Sequence, residues 1–374
     1  MTATGSRGAF PTARIGRFLG APIYVSASWL WFALIVIVLY ARILHGIEDS
    51  WPVAILFAAG LALLWGLSVL LHELGHVAAA RLMKSRVYKV EVGFLGGVTT
   101  TSTKDERPSE EFWVSIAGPA VSLALAAPGV IAAFAGSTLS FGLRDSLGVV
   151  AGTFTLSNLA VAVFNMLPGL PLDGGRVLVA MLWRGKGDQF AAARTAATVG
   201  QGIAIVLLLA IALLAVTGTF GPGGTPLLIA MGIVAVMLWF MARDSRRATV
   251  REQRLADQSV SSHIEAAAVV SNDTSVRDAL ALCDTDRLVV INGGAPTGIA
   301  TRAALETVPG PIREATRIDV VAQSVGADDV LTEAASMLDV LTRFTHNGTT
   351  NFIVTAADGM VIGVVSVESV TSSG

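Results

Sequence analysis

The sequence predicts an α-helical polytopic membrane protein, six transmembrane helices with a membrane-associated β-hairpin, followed by a cytoplasmic α+β module. Three observations lead there. Apolar residues make up 53% of the 374-residue chain and charged residues only 14%, against about 25% charged in soluble domains. The apolar residues gather into six segments near the roughly 20 residues that a helix needs to cross a bilayer. The charge balance also changes sign along the chain. Residues 1–256 hold 20 Lys/Arg and 13 Asp/Glu, whereas residues 257–374 hold 6 and 15. A basic, apolar part therefore precedes an acidic part of ordinary polarity. The single cysteine, Cys283, excludes an intrachain disulfide, and no basic run points to nucleic acid.

The candidate spans are residues 23–44, 51–71, 112–135, 147–167, 201–220 and 225–242. Pro119 and Pro128 predict a kink in the third. The first does not read as a cleaved signal peptide, because its apolar run is too long and no small-residue cleavage site follows it. Of the 20 basic residues before residue 257, all but Arg42 and Arg144 fall on one side of this six-span arrangement. That asymmetry puts both termini in the cytoplasm of a multi-pass protein of the inner (plasma) membrane. The organisation expected is a cytoplasmic segment over 1–22, a membrane domain over 23–242 and a charged linker over 243–256.

Two regions depart from the helical pattern. Between spans two and three, residues 87–103 carry VYKVEV and then FLGGVTTTST, a strand-like run with Gly96-Gly97 as its hairpin signal. From about residue 257 a short helix (274–282) is followed by strands at 287–292 and 298–300, separated by Gly293-Gly294. A similar order recurs as a helix at 330–338 and strands at 351–355 and 361–365 around an Asp358-Gly359 turn. The tail thus reads as a duplicated αββ unit, 257–312 and 313–374.

The residues that carry chemistry are His72-Glu73-Leu74-Gly75-His76. Histidines four apart on a helix lie about 40° apart around the axis, so both imidazoles can reach one ion. Glu73 follows the first histidine and can take a proton from a water held by that ion. Two neutral imidazoles and a carboxylate suit zinc and leave a fourth position for water. The motif ends the apolar run GLALLWGLSVLL, where three ionisable residues are expensive and mark function by default. The best candidate for the third ligand is Asp173, in Asn165-Met-Leu-Pro-Gly-Leu-Pro-Leu-Asp-Gly-Gly-Arg176. Alone, Leu-Asp-Gly-Gly would be an ordinary turn. Here it follows span four on the side of the membrane where His76 lies.

HELGH on one transmembrane helix and NMLPGLPLDGG after a later one resemble the site-2 protease family of intramembrane zinc metalloproteases, over about residues 15–245. The resemblance implies one zinc ion per chain, held by His72, His76 and Asp173, with Glu73 as general base. It implies that Asn165 holds substrate or polarises the scissile carbonyl. It also implies that Gly96 and Gly97 belong to a membrane-inserted hairpin whose edge receives an unwound substrate. The substrate implied is a single-span membrane protein, cut so as to release a membrane-held regulator such as an anti-sigma factor.

The tail resembles a tandem pair of CBS domains, which implies pairing with a second copy of the chain. In the family pattern Gly-h-h-Ser/Thr-x-x-Asp, the ribose-binding acid is replaced by Ala304 in the first unit and Ser369 in the second. Adenine-nucleotide binding is therefore not expected, and no nucleotide-binding residue is assigned. The alternative function, a CBS-gated membrane transporter or channel, would use intramembrane charge as an ion path. Against it, the polar residues are spaced as a zinc site.

Overall fold

A computed structural model describes residues 11–85, 87–93, 96–101, 107–134, 145–219, 221 and 224–371. It forms two compact units that divide between Val250 and Arg251.

The membrane unit opens with two strands, β1 (Thr12–Phe18) and β2 (Ala21–Ser26), joined by a turn in which Leu19 and Gly20 both take positive φ. Residues 23–26, read from the sequence as the start of the first span, are therefore strand. A short apolar run such as Ile23-Tyr24-Val25 suits either element, and its β-branched residues suit a sheet. Helix α1 (Ser28–Glu48) follows, its start tied by the Ser26 hydroxyl, which accepts from the Ser28 amide. Asp49 in the left-handed region turns the chain into α2 (Trp51–Leu82), which Pro52 opens in its first turn.

Strands β3 (Val87–Gly93) and β4 (Gly96–Thr101) complete a four-stranded sheet in the order β1-β2-β3-β4. β2 and β3 are parallel, with Ile23 opposite Val90, and the α1–α2 pair makes the crossover between them. β3 and β4 are antiparallel, and Gly93 faces Gly96. Gly96 and Gly97 thus begin β4, and residues 94–95 between the two strands lie outside the described residues. Among the described residues β4 is one of the two edge strands, β1 being the other. The sheet rests on α2 and α3 through Ala21, Ile23, Val77, Ala80, Val87, Val90 and Val114.

Four more helices follow: α3 (Pro108–Phe134, with Pro119 and Pro128 inside it), α4 (Ser146–Asn165), α5 (Asp173–Lys186) and α6 (Gln189–Val216). Helix α7 (Thr225–Asp257) then runs without a break through the residues read as a linker. Asp145 and Asp188 cap α4 and α6, each accepting from a backbone amide three residues on. Six helices, α1–α4, α6 and α7, are long and apolar enough to cross a membrane. Large apolar side chains stay exposed along them, among them Leu56, Leu63, Leu209 and Leu213. Their buried contacts are largely alanine: Ala33, Ala54, Ala58, Ala62, Ala162 and Ala196. That division is what lipid imposes, with close backbone approach inside and bulk outside. The chain is a multi-pass membrane protein.

The tail holds two units of one design. In the first, β5 (Ala268–Ser271), α8 (Val276–Leu282), β6 (Arg287–Asn292), β7 (Ala295–Thr301) and α9 (Arg302–Glu306) are joined by β8 (Gln323–Ser324). In the second, β9 (Val330–Thr332), α10 (Met337–Asn347), β10 (Asn351–Thr355), β11 (Val361–Ser366) and α11 (Val367–Thr371) repeat the order. Each unit is thus βαββα rather than αββ. Val330–Thr332, expected to be helical, is a strand parallel to β10. β8, numbered with the second unit in the sequence division, pairs with β7 of the first. Val260, numbered with the first, packs among Leu331, Met337 and Phe352 of the second.

Candidate metal centre

Helix α2 presents His72, Glu73 and His76 buried within the membrane unit. Asp173 meets them from the first residue of α5, after the stretch 166–172 of turns and bends that follows α4. The Leu170–Pro171 bond in that stretch is cis. His72 Nε2 lies 3.2 Å from Asp173 Oδ2 and 3.3 Å from His76 Nε2, and His76 Nε2 lies 3.5 Å from Asp173 Oδ1. Ligands at about 2.0–2.1 Å from a tetrahedral ion stand about 3.3–3.5 Å apart. The two Nε2 atoms have that spacing, and each stands as far from one oxygen of the Asp173 carboxylate.

The partners behind the rings matter too. His76 Nδ1 lies 2.7 Å from the Val114 carbonyl oxygen. A carbonyl only accepts, so Nδ1 carries the proton and the neutral ring offers its Nε2 lone pair to the centre. His72 Nδ1 is 2.9 Å from the buried Ser122 hydroxyl. Both rings are thus held from behind, as metal-bound histidines are. Two nitrogen lone pairs and a carboxylate converging in a buried site fit a divalent cation. The residues therefore suit zinc by spacing, by the tautomer of His76 and by donor chemistry.

Two glycines make the space. A Cβ at Gly118 on α3 would stand 2.6 Å from His72 Nε2 and nearer still to His76, so only glycine lets α3 lie against both rings. A Cβ at Gly97 on β4 would stand 2.7 Å from Glu73 Oε1. The edge strand thereby passes directly over Glu73. A cavity of about 940 Å³ opens here, lined by His72, Glu73, Gly97, Asn165 and Asp173. Its walls are apolar, with Trp29, Phe32 and Trp65 on one side and Val234, Met237 and Met241 of α7 on another.

The structure therefore brings together His72, Glu73, His76, Asp173, Asn165 and Gly97. Gly96 sits one residue further along, at the start of β4. Sequence reasoning did not find the Ser122 hydroxyl or the Val114 carbonyl. Gly118 and Ser122 lie four apart, the spacing of the two histidines they face, and that match was the available signal.

Residues 60–153 and 129–211 match peptidase family M50. The chain is 28% identical over 382 residues to the putative zinc metalloprotease sll0528 of Synechocystis, covering 96% of this chain and 94% of that protein. It is 36% identical over 211 residues to the putative zinc metalloprotease Rip3 of Mycobacterium tuberculosis, covering 54% of this chain and 51% of that one. Among solved structures, the site-2 protease from Methanocaldococcus jannaschii is 26% identical (63% of this chain, 95% of that chain, TM-score 0.42). The CBS domain of the bacterial CNNM/CorC family Mg2+ transporter is 16% identical (33% of this chain, 79% of that chain, TM-score 0.28).

A bundle of membrane helices that buries HExxH against an aspartate from another helix is a membrane-embedded metallopeptidase. Over residues 60–211 the chain is similar to peptidase family M50, the site-2 proteases, and it is a zinc metalloendopeptidase of that type, which works by intramembrane proteolysis.

Proposed function

We propose that His72, His76 and Asp173 hold one zinc ion per chain and that Glu73 is the general base in cleavage of a single-span membrane protein. The observation that carries this reading is the convergence of the two Nε2 atoms and the Asp173 carboxylate, 3.2–3.5 Å from one another, with Glu73 beside them. Bound zinc would supply Lewis acidity, making water a nucleophile near neutral pH and stabilising negative charge on the carbonyl oxygen. Glu73 takes the proton of the attacking water and passes it to the leaving amine. Asn165, in the same cavity, donates a hydrogen bond to the scissile carbonyl. The apolar walls exclude bulk water, which strengthens each of these interactions.

A helix hides its peptide bonds, so the substrate must unwind first, and its freed backbone groups then need partners inside the membrane. β4 is an edge of its sheet among the described residues and runs over Glu73, so its outer N–H and C=O groups would supply them. Neighbouring residues of a strand turn their N–H groups to opposite edges. Val98→Pro and Thr99→Pro, made separately, therefore remove one donor facing β3 and one facing outward. The outward one should cut turnover several-fold with zinc content unchanged. If both variants cleave at the wild-type rate, the edge is not used.

The distribution of basic residues supports an orientation with both termini in the cytoplasm of the inner membrane. Reporter fusions at Asp49 and Gly221 should then read external, and fusions at Gly187 and Thr371 cytoplasmic. An external reading at Thr371 would contradict the arrangement. On that orientation the protease would release a membrane-held regulator, such as an anti-sigma factor, to the cytoplasm.

The tail fits a CBS pair that joins two copies of the chain. Thr301 and Ser366 of the family pattern each accept from a backbone amide three residues on, at Ala304 and Ser369. Neither Ala304 nor Ser369 offers the carboxylate that a ribose diol would need. Calorimetric titration of the full chain with ATP, ADP and AMP should show no binding, and micromolar affinity for any of them would reverse that conclusion.

A further inference from the structure

Helix α3 meets both proposed ligand-bearing helices, α2 and α5, with one face. Residues 111, 114, 118 and 122 fall within about 80° of arc at 100° per residue. Val114 holds His76, Gly118 leaves room for both imidazoles, and Ser122 holds His72. The fourth position, Glu111, faces α5. Its carboxylate receives Arg176 as a fork, Nε to Oε1 at 2.7 Å and a terminal nitrogen to Oε2 at 3.2 Å. Both side chains are largely shielded, 14% exposed for Glu111 and 32% for Arg176. Glu111 also lies in the first turn of α3, where a carboxylate is favoured.

Arg176 is three residues after Asp173 on the same helix, so the two side chains leave α5 on neighbouring faces. Each histidine has a hydrogen-bonding partner on α3 that fixes its ring. Asp173 sits at the very start of α5, where the chain arrives through turns and bends. We infer that the Arg176–Glu111 pair is the positioning device for Asp173, the counterpart of Val114 for His76 and Ser122 for His72. A forked pair fixes angle as well as distance, which a single contact does not. It sets how far α5 sits from α3, and hence whether the Asp173 carboxylate reaches the two Nε2 atoms. The inference rests on Asp173 being the third zinc ligand.

The test is zinc retention by the purified full chain, measured by competition with a soluble chelator. Arg176→Gln and Glu111→Gln should each weaken zinc binding by roughly 10–100-fold, the range for losing a partner that orients a ligand. The reversed pair, Arg176→Glu with Glu111→Arg, should recover most of that loss. Arg176→Lys keeps the charge without the fork and should fall between. In an Asp173→Asn background, adding Arg176→Gln should change zinc retention no further, because the residue it positions is already gone. Wild-type retention in Arg176→Gln and Glu111→Gln would overturn the inference, and so would an undiminished further loss in the Asp173→Asn background. If the forked variants prove poorly folded, Arg176→Lys decides, and wild-type retention there overturns the inference equally. Full retention in Asp173→Asn alone would instead remove Asp173 as a ligand, a separate failure.

Discussion

Glu73→Gln should leave zinc content unchanged and lower turnover by at least the roughly 10²–10⁴-fold that a positioned general base contributes. Glutamine keeps the volume and shape that fit beneath Gly97, so the cavity should survive the exchange. What it loses is the ability to take a proton. Glu73 stands next to His72 on α2, and its side chain turns toward the strand that crosses the cavity. The two effects should therefore separate. Zinc by elemental analysis would match the wild type, while cleavage of a single-span substrate in proteoliposomes would be lost. Appreciable cleavage by the purified Gln variant would remove Glu73 from the reaction, and loss of zinc would make it a ligand instead.

Replacing a proposed ligand should have the opposite signature. His72→Ala, His76→Ala and Asp173→Ala should each lose zinc and activity together, by more than the roughly 10–100-fold typical of losing an outer partner. A chelator should inactivate the wild type, and added zinc should restore it to about one ion per chain. The restored ion would stabilise the membrane unit, because anything that binds only the folded state does so. If Asp173→Ala keeps full zinc and full turnover, the third ligand is another residue.

How far the sequence revealed this site follows from the range of each contact. HELGH was legible because its three side chains are set by one helix, and their cost within an apolar run singles them out. Asp173 was legible only through depth, since 97 residues separate it from His76 in the chain. Glu111 and Ser122 were not. Their partners lie 65 and 50 residues away, and a serine in a membrane helix has many ordinary uses. In the sheet, the alternation of β3 was visible. β1 escaped notice because six of its seven residues are exposed, so nothing marks a face. β2 escaped because it merges with the apolar run of α1. In the tail, β6 and β10 were read correctly as short buried runs next to turn glycines. The helix expected from residue 330 starts instead after Ser336, where Ser336 and Asp339 form a capping box. That signal was present and was outweighed by the apolar Val330-Leu331 pair.

The stripe on α3 also governs which length changes the protein can survive. Glu111, Val114, Gly118 and Ser122 act as marks on a ruler, and each must face its own partner at once. Substitutions on the opposite side of α3 leave the marks in place. Inserting one residue between Glu111 and Ser122 would swing one end of the ruler by about 100° against the other. The histidines and α5 would then be aligned to different faces. Related chains should accordingly differ freely in the length of the connections on either side of this helix, yet carry no insertion or deletion within these twelve positions.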